Sequence, residues 1–199
     1  MPHRTLAVAA GLLAVGAIAT PALAGAIGGN PGASDGPIFI AVEGPQTGSQ
    51  ASNGQDMLRG VQLAVKQVNA KGGVLGRQVR IVKANDQANP SLAKKVAGQV
   101  ISGSSVAVIG PYNSSVGLLN LPLYTSNKIV PVQLTSTDDT TGEGVTVQPK
   151  NSQISPIEFN YITTKFAPTR VSMLVTQSTY TQGMANRLQA SLLRKGFLV

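Results

Sequence analysis

Short apolar, β-branched runs alternate with segments of helical period along almost the whole chain, and this alternation constrains the fold more than any other feature. Residues 38–42 (Ile38-Phe39-Ile40-Ala41-Val42) read as a buried strand. From Asn53 the period changes: Met57, Val61, Ala64, Val65 and Val68 fall on one helical face, with Ser52 or Asn53 as cap and Gly72-Gly73 as stop. The cycle repeats with strands over 78–83, 106–109 and 129–133 and helices over 91–101 and 115–124. Strand and helix at this spacing predict an α/β lobe, a parallel sheet covered on both faces by helices.

An extended piece over 144–147 leads to a helix over 152–165, a strand over 170–176, a helix over 181–194 and an opening strand over 196–199. Residues 37–150 therefore read as one α/β lobe, and 151–199 as a crossover with the first β-α unit of a second, similar lobe. Ahead of both, residues 1–24 read as a signal peptide. His3 and Arg4 precede an apolar run over 6–19, and Pro21-Ala22-Leu23-Ala24 offers small residues for cleavage. The run is shorter than the roughly 20 residues a membrane span needs. No cysteine follows it to carry a lipid, and residues 25–36 read as a flexible leader.

Counting excludes several chemistries. There is no cysteine, and the one histidine lies in the signal segment, so Cys/His zinc sites, thiol nucleophiles, Ser-His-Asp triads and disulfides are ruled out. The net charge of +8 comes from cations scattered without a dense run, so no nucleic-acid partner is expected. Asp138 and Asp139 are adjacent and point apart in an extended chain, a poor acid/base pair. The loop Gly44-Pro45-Gln46-Thr47-Gly48 lacks the Gly-Lys-Ser/Thr ending of a phosphate loop. No cofactor and no catalytic residue are expected.

In an open parallel sheet, ligands sit beyond the carboxyl ends of the strands. Three loops there carry polar groups. Gly110-Pro111-Tyr112-Asn113-Ser114-Ser115 opens a helix and suits an anion such as a carboxylate; the plainer alternative is that Asn113 or Ser114 only caps that helix. Leu134-Thr135-Ser136-Thr137-Asp138-Asp139 brings hydroxyls and carboxylates, or is an ordinary polar turn. Tyr180 follows the strand of the second unit, as a ligand contact or as packing at a helix start.

The pattern resembles the periplasmic solute-binding proteins of the branched-chain amino acid (leucine/isoleucine/valine) type, which serve ABC importers. The resemblance spans residues 38–199. It is carried by Gly60-Val61-Gln62-Leu63-Ala64-Val65 running into Val68-Asn69-Ala70-Lys71-Gly72-Gly73-Val74-Leu75-Gly76-Arg77, then by Asp86, Asn89-Pro90, Val108-Ile109-Gly110 and Ser114-Ser115. It implies a type I periplasmic binding fold, of which this chain would be the N-terminal portion, and an exported, non-enzymatic binder of a small amino acid or related polar metabolite, working with a membrane permease.

The same resemblance implies site residues: Ser114 and Ser115 with Thr135 and Thr137 around the ligand's carboxylate and ammonium, and Tyr180 closing over it, with Gly183 completing a Tyr-x-x-Gly spacing. Asn53 stands where some relatives present an aromatic ring, and Asn151 where an acidic residue near the lobe junction is common. Relatives join two lobes by three crossovers, of which this chain carries the first, over 148–153. Their later acidic residue, which answers the ligand's ammonium, has no counterpart here. A ligand-sensing domain of a receptor and a non-binding fragment are the competing expectations.

Overall fold

The computed structural model describes residues 36–199, so the signal peptide and nearly all of the leader lie outside the described residues. Five strands form one parallel sheet: β1 (Ile38–Gly44), β2 (Val79–Asn85), β3 (Ala107–Ile109), β4 (Val130–Gln133) and β5 (Val145–Thr146), in the order β2-β1-β3-β4-β5. Helices α1 (Ala51–Ala70), α2 (Pro90–Ser102) and α3 (Ser114–Ser126) link the first four strands. β1 pairs with β2 along its whole length, from Ile38 opposite Val79 to Gly44 opposite Asn85, and with β3 at Ile40, Ala41 and Val42.

Alternation along the strands explains the packing. Ala41, Ala84 and Val108 meet Val96, Ala97 and Val100 of α2 and Tyr124 of α3, a buried cluster closed by Ile129. The face of α1 is thinner than its period predicts: Gly54 and Leu58 are buried, Met57, Val61 and Val65 are half-buried, and Ala64 and Val68 stay exposed. α1 also starts two residues before the expected caps, at Gln50, and neither Ser52 nor Asn53 caps it.

The Asn-x-x-Gly-Gly stretch has a clear mechanical role. Asn69 Oδ1 accepts from the Val79 amide at 2.8 Å and its Nδ2 donates to the Val79 carbonyl at 2.9 Å, pinning the end of α1 to the start of β2. The chain then reverses at Gly73, whose φ of 81° and position against the Arg77 carbonyl leave no room for a Cβ. Asn89 caps α2 by accepting from the Ser91 amide, with Pro90 in the first turn.

One charged group sits inside this lobe. Glu43 is fully buried at the end of β1, where Tyr124 donates to Oε2 at 2.7 Å and Asn120 donates to Oε1. Burial first, and nearby Asp86 second, push its carboxyl up to about 8, against the pull of the two hydrogen bonds. Burial raises the Asp86 carboxyl in the same direction.

After a short 3₁₀ turn at Asp138–Thr140 and β5, the chain crosses into α4 (Asn151–Lys165) and α5 (Thr179–Arg194), which pack on each other. The expected strands over 170–176 and 196–199 do not form ladders. They touch at one parallel bridge, Arg170 to Leu198, through Val171 N to Leu198 O at 2.8 Å. Among the described residues no third strand flanks them, and Leu174 is fully exposed. Apolar, β-branched character favours strands only where a neighbouring strand completes the hydrogen bonds. No helix among the described residues is long and apolar enough to cross a membrane.

Candidate functional site

The order β2-β1-β3 reverses direction between β1 and β3, and in sheets of this kind the crevice beyond that point receives ligands. A cavity of about 410 Å³ lies there, within the range of roughly 300–1,000 Å³ usual for small-molecule sites. Gln50 and Asn53 reach it from the start of α1, Tyr112 and Asn113 from the loop after β3, Ser114 and Ser115 from the first turn of α3, and Leu134 and Ser136 from the loop after β4. The far wall is Gln148 of the crossover with Thr176, Ser178, Thr179 and Tyr180 around the start of α5. No lining side chain is charged.

The first turn of α3 is open toward this space. Asn113 occupies the cap position yet makes no capping bond; its Nδ2 donates instead to Gln50 Oε1 at 2.9 Å, joining the loops after β3 and β1. Asn113 Oδ1 is buried and has no hydrogen-bond partner. The amides that begin α3, with the hydroxyls of Ser114 and Ser115, thus form a donor-rich corner suited to a carboxylate.

Of the six residues expected at a ligand, the structure brings four together here: Asn53, Ser114, Ser115 and Tyr180. Thr135 and Thr137 do not line this cavity. Thr135 is fully buried behind it, its hydroxyl engaged with Gln133 Oε1 and, at 2.7 Å, with Thr140 Oγ1. Thr137 is buried as well; its amide donates to Ser114 Oγ at 3.4 Å, so it backs a site residue, and its hydroxyl turns to Asp139. The loop hydroxyl that does reach the cavity is Ser136, which no local feature of the sequence sets apart from the threonines on either side. Gln50 and Tyr112 were also missed as individual residues; Tyr112 supplies an aromatic wall beside Asn53.

Lys150 is buried just behind the cavity, where Nζ donates to Gln133 Oε1, Thr135 O and Thr140 Oγ1 at 2.9, 3.1 and 2.8 Å. Desolvation draws its ammonium below the ordinary lysine value, opposed by the charge of Asp138. Asp138 itself accepts from the Ser152 amide at 3.2 Å and from Arg187 Nε at 2.6 Å, and these bonds hold its carboxyl below the usual range although burial pushes it upward. Among the described residues, no group of three or more acidic or histidine side chains could hold a metal.

A larger cavity, about 530 Å³, lies between the 173–177 stretch and α5, lined by Met173, Val175, Gln182, Asn186 and Val199. It sits at no strand end of the five-stranded sheet and gathers no hydroxyl cluster, so the crevice between β1 and β3 is the candidate site.

An open parallel sheet of this order with a neutral, hydroxyl-lined crevice at its reversal point defines the class: a type I periplasmic binding fold. The periplasmic binding protein family matches residues 37–199, and the chain belongs to that family. It is 29% identical over 166 residues to a Leu/Ile/Val-binding protein homologue of Brucella abortus, covering 81% of this chain and 45% of the relative. It is 30% identical over 164 residues to the Leu/Ile/Val-binding protein of Escherichia coli K12, covering 80% and 44%. Among solved structures it is similar to the branched-chain amino acid transporter substrate binding protein LivJ of Streptococcus pneumoniae in complex with isoleucine. There the TM-score is 0.74, with 25% identity over 82% of this chain and 48% of the other. The chain spans about half the length of these relatives.

Proposed function

We propose that the chain is part of an exported solute-binding component of an ABC importer that takes a small amino acid, in the first place a branched-chain one, or a related polar metabolite. The observation that carries this reading is the crevice of about 410 Å³ in which Ser114 and Ser115, at the open first turn of α3, face Tyr180. The α3 amides and the two serine hydroxyls receive the carboxylate, Ser136 and Asn113 Oδ1 supply further polar contacts, and Tyr112, Asn53 and Tyr180 border the rest of the solute. Thr135 and Thr137 act from behind, Thr137 through its bond to Ser114.

The likeness to the Escherichia coli Leu/Ile/Val-binding protein and to the isoleucine complex of LivJ supports the solute class. In this reading the protein carries rather than converts its solute, is delivered across the inner membrane by residues 1–24, and presents its loaded form to a membrane permease. Movement of the α4–α5 unit toward the lobe excludes water from the bound charge.

The test is a thermal melt of the chain alone and with a panel of amino acids, amides and small carboxylates. A solute at about 100 times its dissociation constant adds roughly 2.7 kcal/mol of stability. A shift confined to aliphatic amino acids supports the reading; a sharp transition that no member of the panel moves overturns it.

A further inference from the structure

Two consecutive residues at the start of α4 hydrogen-bond to both sides of the crevice. Lys150, 7% exposed, spends all three ammonium donors on neutral oxygens of the end of β4 and the stretch after it, and no carboxylate lies within ion-pair distance of it among the described residues. A buried charge without a counter-ion is costly unless its surroundings are fixed to solvate it. Lys150 therefore locks the crossover to Gln133, Thr135 and Thr140.

Asn151 follows, 1% exposed. Its amide donates to Ser136 O at 2.8 Å, and its side-chain Nδ2 donates to Tyr180 O at 3.3 Å. Ser136 and Tyr180 line the crevice from opposite walls, so one residue holds both. Its Oδ1 is buried without a partner, a cost that an apolar side chain in the same place would not carry. The opening for Asn151 is Gly183: a Cβ there would stand 2.6 Å from Nδ2 and displace the amide from Tyr180.

We propose that Asn151, anchored through Lys150, is a positioning residue that sets the separation of the Ser136 and Tyr180 walls and thereby the fit of the solute between them. This rests on reading the crevice as the solute site, so the experiment includes a measurement that needs no solute.

The chain has no cysteine, so Ser102→Cys on α2 and Gln189→Cys on α5 give two unique, exposed positions for spin labels. Pulsed electron paramagnetic resonance on the full chain then reads the distance between lobe and α5. In Gly183→Ala and in Lys150→Met the distribution broadens or shifts relative to the labelled parent. Gly183→Ala remains folded, because the helix preference of alanine over glycine offsets a loss of similar size, the Asn151–Tyr180 bond. Any panel solute that binds the parent binds both variants about tenfold more weakly, the effect of one lost, well-placed bond in a buried site.

An unchanged distance distribution in folded Gly183→Ala overturns the proposal, and that outcome decides the matter even where Lys150→Met fails to fold. If distances broaden while no solute binds the parent, the solute reading fails and the positioning role stands. If a solute binds and Gly183→Ala alters neither distance nor affinity, the solute reading stands and the positioning role falls.

Discussion

The five-stranded lobe and the α4–α5 unit carry similar sequence patterns and reach different ends. Ile38-Phe39-Ile40-Ala41-Val42 and Val171-Ser172-Met173-Leu174-Val175 are both short apolar runs ahead of a helix. The first lies between β2 and β3 and buries Ala41 and Val42 completely. The second meets a single bridge and leaves Leu174 fully exposed. Strand character in a parallel sheet is thus a property of the neighbours as much as of the run itself.

That contrast breaks most directly under core truncation. Leu121→Ala, in the buried face of α3, is expected to cost about 2–5 kcal/mol in urea unfolding. Leu174→Ala is expected to change stability by less than about 0.5 kcal/mol. Equal losses would show that the 171–176 stretch is packed after all.

The buried carboxyl of Glu43 gives the lobe a pH signature. Its folded value, about 8, lies above the ordinary 4.5, so the folded state holds a proton that the unfolded chain has released. Its contribution is complete below pH 4.5 and is lost as pH rises toward 8, with a slope of up to about 1.4 kcal/mol per pH unit. Asp86, shifted in the same direction by burial, adds to the loss of stability as pH rises. Glu43→Gln keeps a neutral partner for Tyr124, and melts from pH 5 to 8 are expected to show a flatter profile; a variant as steep as the parent would assign the slope elsewhere.

At the crevice, the two threonines and the two serines separate binding from scaffolding. Ser114→Ala is expected to weaken the best panel solute by about 1–3 kcal/mol in calorimetric titration, as for a hydroxyl on a buried carboxylate. Thr135→Val, whose hydroxyl faces Gln133 and Thr140, should lower the melting temperature instead. The reverse pattern would move the solute to the Thr135 side.

A small effect is also expected at the exposed link between the two regions. Asp138 and Arg187 pair at 2.6 Å with partly exposed side chains, so Arg187→Gln should cost less than about 1 kcal/mol, a difference that shrinks further in high salt. A larger loss insensitive to salt would make this pair a structural joint.

Periodicity alone was enough to locate most elements because each answers to a local rule. α2, expected over 91–101 from its period, forms over Pro90–Ser102, and α1 ends at the Gly72-Gly73 reversal. The polar loops at the strand ends were legible for the same reason, and they pointed to Ser114, Ser115 and Tyr180 at the crevice, whereas Asn53, in the first turn of α1, came only from the family resemblance. Sequence could not say which side of the loop after β4 faces that crevice. Thr135, Ser136 and Thr137 differ little in chemistry, and the Lys150 ammonium and Asn151 amide that hold the Thr135 and Ser136 carbonyls each lie 15 residues away in the chain.

The alternating α/β order, the absence of any cysteine, and the family to which the chain belongs all follow from the order of residues alone. Packing in three dimensions was needed to establish that residues 170–176 stay outside a ladder, that Glu43 is buried with Tyr124 and Asn120, and that Ser136 rather than Thr135 fronts the cavity. These three share one cause: hydrogen-bond partners and desolvation come from residues distant in the chain, and a local pattern carries no record of them.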